Sequence, residues 1–123
     1  MYALGKDHPL RTRCRKYLEK IKAGELTVVT NTEVLQEILY RYFSLRMPVI
    51  AEEAYTSVKM ISKEVYPVTV LEVDRALALL KEFPSIHARD AIHTATMLNK
   101  GIKKILSTDP HFDIVHGIER IRP

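Results

Sequence analysis

The stretch HARDAIHTATMLNKGIKKILSTD, residues 87–109, predicts a helix, then a strand, then an acid where the strand ends. Apolar residues recur at helical spacing up to Lys100, and Gly101 is the kind of residue that closes a helix. The run from Lys104 to Thr108 is typical of a short buried strand, and Asp109 follows it directly. Ligands of α/β sheets gather outside the carboxyl ends of strands, so Asp109 is a candidate site residue.

Helices and strands alternate along the rest of the chain. We predict helices near residues 9–23, 31–45, 48–62 and 71–83, and strands or extended segments near 26–29, 65–70 and 118–121. Thr30 and Glu33 have the spacing of a capping box at the start of the second helix. The alternation predicts an α/β fold with a mainly parallel sheet and a high helical share. No linker or internal repeat divides the chain, so residues 1–123 are expected to form a single domain.

Composition indicates a globular chain, since 46% of its 123 residues are hydrophobic and 28% are charged. No apolar run approaches the roughly 20 residues that cross a bilayer, and no signal peptide is apparent, so a cytoplasmic protein without membrane contact is expected. Cys14 cannot form an internal disulfide and lies on the apolar stripe of the first helix, which predicts a core position. The net charge is +4, with seven Lys or Arg in residues 1–24. That basic helix suits either a nucleic-acid partner or a solvated surface.

Three acids are spaced along this α/β pattern. Asp90 lies near a helix start, where the helix dipole favours negative charge by roughly 0.3–1 kcal/mol. However, Ser85 is already a plausible cap, and Asp90 borders the core face, where a carboxylate needs a cation or donors. Glu37 flanks the apolar stripe of its helix, and a solvated glutamate is the alternative. Asp109 precedes Pro110 and could simply form a turn. Together, Glu37, Asp90 and Asp109 could supply the oxygen ligands that Mg²⁺ prefers.

Other polar residues near these acids are weaker candidates. His87 and His93 flank Asp90 at three-residue spacings but diverge by roughly 120° on an ideal helix, which argues against a zinc site on this helix alone. We expect them to be ordinary polar residues or to support the site. Asp113 either caps a turn or assists the site, and Phe112 is expected to fill the core under the loop.

Four segments resemble the PIN-domain family, especially VapC-type ribonuclease toxins: YALGKDHPLR from Tyr2, TNTEVLQEILYRY from Thr30, residues 87–109, and FDIVHGIERIRP from Phe112. The resemblance implies a helix-rich three-layer α/β/α fold with a short, mainly parallel central sheet. It implies an endoribonuclease that uses Mg²⁺ or Mn²⁺ held by Glu37, Asp90 and Asp109, with Thr108 helping to order the site. It also implies a homodimer and a small antitoxin protein as partners.

The sequence departs from the family pattern at its start. Family members begin with a strand that ends in an aspartate, whereas this chain starts at Met1 inside the matching segment, and Asp7 comes too late to replace that acid. Either the protein begins upstream, or the chain is short and impaired. We therefore expect a metal-dependent endoribonuclease, and the alternative is a catalytically impaired PIN-like module that binds RNA or protein. A phosphatase with Asp109 as nucleophile is disfavoured, because the sequence has four glycines and no glycine-rich loop.

Overall fold

A computed structural model describes residues 9–122, with side chains from residue 15, and this part of the chain contains five α-helices and four short strands. The helices are α1 (Pro9–Lys22), α2 (Thr32–Ser44), α3 (Pro48–Ile61), α4 (Val70–Glu82) and α5 (Ala88–Lys100). The strands are β1 (Val28–Asn31), β2 (Ser62–Tyr66), β3 (Lys104–Leu106) and β4 (Glu119–Ile121), and a 3-10 helix spans Pro110–Ile114. The predicted α/β class, its helix-rich character and its short parallel strands are confirmed. Asp7 and the side chain of Cys14 lie outside the described residues.

The chain divides into two compact units, with the boundary between Tyr66 and Pro67. In the first unit, β1 pairs in parallel with β2, and Asn31 lies opposite Tyr66. The core of this unit lies between α2 and α3 and consists of buried Ile38, Tyr42, Ala51 and Ala54. The expectation of a single domain stays a prediction.

In the second unit, β3 pairs in parallel with β4, and α4 packs against α5. Ala91 and Ala95 of α5 have no exposed surface, so α4 approaches the helix closely there, where Ala76, Leu79 and Ile86 complete the cluster. Phe112 is 3% exposed, which confirms the prediction that it fills the core under the loop after β3. Small side chains therefore set the position of the helix that carries Asp90.

Local hydrogen bonds explain where the helices begin and end. Gly101 ends α5 with φ 69°, as the sequence predicts. The prediction of a capping box between Thr30 and Glu33 is wrong, because β1 continues through Asn31. The Asn31 side chain, not that of Thr30, accepts a hydrogen bond from the Val34 N–H at 3.2 Å. The helix therefore starts at Thr32 rather than at residue 31.

The second strand also differs from the prediction. It spans residues 62–66 and follows α3 without a break, whereas the sequence placed an extended segment at 65–70. Pro67 has no N–H to donate to a strand partner. Thr69 instead caps α4 in a capping box with Glu72, whose Oε1 accepts from the Thr69 backbone N–H at 2.9 Å. None of the helices in the described part of the chain is long and apolar enough to span a bilayer.

Candidate active site

Asp90 and Asp109 are in contact in the second unit. Asp90 is the third residue of α5, and Asp109 lies just beyond β3, where its side chain is 33% exposed. A hydrogen bond with the Asp90 side chain is the smallest of the causes that lower the pKa of Asp109. Two carboxyl groups can make this contact only if a proton or a cation lies between them, because two carboxylates repel each other. The structure thus brings together two of the three acids singled out in the sequence, from positions 19 residues apart.

His111 supplies the main hydrogen bonds to Asp109. The backbone N–H of His111 donates to Asp109 Oδ1 at 2.9 Å, and the ring Nδ1 lies 2.7 Å from the same oxygen. The backbone N–H is the largest cause of a lowered pKa at Asp109; the His111 ring and the bond with Asp90 add to it, and partial burial opposes them. Ser107 Oγ accepts from the Asp109 backbone N–H at 3.0 Å and so fixes the start of this turn.

The two histidines that flank Asp90 differ in position. His87 is the N-cap residue of α5 but makes no side-chain capping bond, so the predicted cap at Ser85 is wrong. Its ring instead packs edge-on against His111, with centroids 5.8 Å apart and planes at 74°. His93 lies about one turn after Asp90 on α5 and is half-buried. Sequence reasoning missed His111, although an Asp-Pro-His turn, in which the aspartate bonds the backbone two residues on, was a usable signal.

Asp113 forms an ion pair with Arg120. The guanidinium Nε donates to Asp113 Oδ1 at 2.8 Å and a terminal nitrogen donates to Oδ2 at 3.0 Å, while the other terminal nitrogen reaches the Ser107 carbonyl at 3.3 Å. Arg120 lowers the pKa of Asp113, and the bond with Asp113 is the main cause that raises the pKa of Arg120. Asp113 therefore ties the 3-10 helix to β4 and to the end of β3. Thr108 is exposed beside this turn.

Glu37 lies in the first unit, on α2, where it is half-buried and precedes the buried Ile38. Within either unit, the described residues hold no group of three or more histidine, cysteine, aspartate or glutamate side chains arranged for a metal. The contact between Asp90 and Asp109 still fits a hard divalent cation. Both offer carboxylate oxygens, and such ions bind through one or two carboxylates and keep several waters.

Comparison with known proteins identifies the family. The sequence model of the PIN-domain family matches residues 1–117. The chain belongs to the PIN-domain family. It is 33% identical over 121 residues to VapC ribonuclease Mb1869c of Mycobacterium bovis, a match that covers 98% of this chain and 92% of that protein. It is 34% identical over 109 residues to ribonuclease VapC23 of Mycobacterium tuberculosis, covering 89% and 86% of the two chains.

A more distant relative, ribonuclease VapC7 of Mycobacterium tuberculosis, is 29% identical over 123 residues, covering 96% of this chain and 85% of that protein. No solved structure matches the chain significantly. The matches place this PIN-domain chain among VapC ribonucleases, as the four segments of sequence indicated.

Proposed function

We propose that this PIN-domain protein is an endoribonuclease that hydrolyses RNA phosphodiester bonds with Mg²⁺ or Mn²⁺. The observation that carries the proposal is the hydrogen-bonded contact between the Asp90 and Asp109 side chains at the start of α5 and the end of β3. The relatives named as ribonucleases support the reaction, and the hard oxygen donors support the ion. Asp90 and Asp109 would hold the ion, with Glu37 as the third carboxylate.

When bound, such an ion lowers the pKa of a water molecule and neutralises charge on the phosphate. The protein's own groups prepare the site. The backbone N–H of His111 and the contact with its ring favour the ionised form of Asp109, so its oxygens are available at neutral pH. Thr108 is proposed to help order the acids. Metal ligands must be deprotonated, so any proton on this pair of acids would leave as the ion enters, and we expect proton release on binding.

RNA must approach this acidic pair although its backbone is negative. The chain also carries exposed basic residues on α1 that would bind RNA phosphates; with described side chains they are Arg15, Lys16, Lys20 and Lys22. Binding through phosphates would be weakened by salt and would carry little sequence information. RNA binding that falls steeply between 50 and 200 mM salt is therefore expected.

The test is RNA cleavage by the full chain with Mn²⁺ or Mg²⁺, compared with EDTA. Asp90→Asn should abolish cleavage while circular dichroism shows an intact fold. Asp74→Asn is the matched control, because it makes the same chemical change at an exposed position of α4. If Asp90→Asn cleaves as fast as wild type, the site is wrong. If the wild type binds RNA without metal-dependent cleavage, the PIN-like binding module is the better description.

A homodimer and a small antitoxin are further proposals that rest on the family. Exposed apolar side chains on α2, namely Leu39, Tyr40 and Phe43, support contact with a protein partner. Sedimentation over a range of protein concentrations tests the dimer, and a single monomeric species up to 100 times the working concentration would contradict it. Inhibition of cleavage by the product of an adjacent gene tests the antitoxin. A cytoplasmic location stays a prediction.

A further inference from the structure

His111 makes two hydrogen bonds to one oxygen of Asp109. The backbone N–H lies 2.9 Å and the ring Nδ1 2.7 Å from Oδ1. A carboxylate held at one oxygen by two donors cannot rotate freely about its last bond. His111 therefore fixes the plane of the carboxylate and leaves Oδ2 without a His111 contact.

The ring contact goes beyond what the turn itself requires. The backbone N–H alone caps the 3-10 helix at Asp109, and any residue at position 111 other than proline could supply it. The imidazole adds a second donor only if its Nδ1 carries the proton. A free neutral histidine favours the proton on Nε2, so donation from Nδ1 requires either the less common tautomer or the imidazolium, which carries a proton on both nitrogens.

His87 packs against this ring. Its imidazole meets that of His111 edge-on at 5.8 Å, and its side chain takes no part in capping α5. The usual N-cap residues Ser, Thr, Asp and Asn bond the helix backbone through their side chains, and His87 is not one of these types. Here the helix start lacks that bond, and the side chain instead packs against the ring that contacts Asp109.

We propose that His111 is a positioning residue for Asp109, and that His87 keeps the His111 ring in place. Groups that donate to a ligating carboxylate orient it and commonly change metal affinity or activity by about 10–100-fold. The inference rests on the proposed function, in which Asp109 binds the ion. It assigns the chain Asp109–His111–His87 a role that neither histidine would have as an ordinary surface residue.

The test compares Mn²⁺ affinity in the full chain, measured by electron paramagnetic resonance, for four variants. His111→Leu keeps the backbone bond but loses the ring donor, so Mn²⁺ affinity should fall by about 10-fold or more. His111→Asn places an amide N–H near the position of Nδ1 and should restore affinity. His87→Phe should keep affinity because it keeps a ring, and His116→Leu, an exposed histidine of the same unit, should be neutral. With RNA varied at a fixed Mn²⁺ concentration, His111→Leu should lower kcat and leave the KM for RNA unchanged.

Wild-type affinity in His111→Leu, with the fold intact by circular dichroism, would overturn the proposal. A loss in His111→Asn as large as in His111→Leu would also overturn it, because the donor would then not be what matters. A second measurement needs neither metal nor RNA. Long-range proton–nitrogen spectra of the metal-free protein should show His111 protonated at Nδ1, and protonation only at Nε2 would refute the contact. If wild type neither binds Mn²⁺ nor cleaves RNA, the proposed function fails, and the tautomer still decides the role of His111.

Discussion

Leu79 and Leu77 of α4 offer a matched test of which contacts hold the helix that carries Asp90. Leu79 is 6% exposed and packs with Ala91 and Ala95 of α5, whereas Leu77 is 57% exposed. Leu79→Ala removes almost a full leucine side chain from the core and leaves a cavity, so the free energy of unfolding should fall by about 2–5 kcal/mol. Leu77→Ala removes a side chain that is less than half buried and leaves no cavity, so it should cost about 1 kcal/mol at most.

Urea unfolding followed by circular dichroism at 222 nm measures the difference. With a slope of about 1–3 kcal/mol per molar urea, a gap of about 2 kcal/mol places the Leu79→Ala midpoint about 1 M below that of Leu77→Ala. Each variant is measured at two protein concentrations, so that any effect of association on Leu77 is separated from folding. Equal midpoints would refute the reasoning, because the α4–α5 core would then not fix the second unit.

Three other outcomes follow from charges and hydrogen bonds in the second unit. Hydrogen bonds from Asn99 and Thr69 lower the pKa of Glu72 from 4.5 to about 2. The ionised Glu72 therefore contributes fully to the free energy of unfolding above pH 4.5, and this contribution disappears as the pH falls toward 2. Glu72→Gln should flatten this part of the curve of stability against pH, measured by urea unfolding. Arg120→Lys loses the two-pronged contact with Asp113 and should speed amide hydrogen exchange in the 3-10 helix, and unchanged exchange would argue against that tie. Without metal, Asp90→Asn should raise the melting temperature, because an amide can donate to Asp109 without a shared proton, and Mn²⁺ should then raise it only in the wild type.

Local sequence was sufficient where one residue decides the structure. Gly101 ends α5 because its backbone adopts a positive φ. Phe112 is buried because removing a large apolar ring from water is favourable. It was insufficient at the start of α2, where Thr30, Asn31 and Thr32 can all cap a helix. The choice falls on Asn31 because β1 pairs with β2 up to the contact between Asn31 and Tyr66, a partner 35 residues away.

Neither the bounds of β2 nor the contact between Asp90 and Asp109 could be predicted from local sequence, because both depend on contacts between residues far apart in the chain. Lys63 and Glu64 are exposed and do not form an apolar run, yet residues 62–66 form β2 because they pair with β1. In the same way, the three acids could be singled out by type and place, but the contact between Asp90 and Asp109 depends on how α5 lies relative to the end of β3. The role of Glu37 rests on the family resemblance and stays a prediction.

Two carboxyl groups in contact are costly unless something positive lies between them, so other interactions must hold them together. The backbone at Asp90 is held in place, because the next residue, Ala91, is fully buried against α4. The turn that carries Asp109 is held in place as well, because Phe112, three residues later, is buried in the core. Arg120 also bonds both the Ser107 carbonyl, before Asp109, and the Asp113 carboxylate, after it. Much of the free energy that keeps the acids close thus comes from apolar burial and an ion pair that do not involve them, and the hydrogen bonds of His111 to Asp109 add to it. Such local conflict with stability is expected where a site is shaped by what it binds.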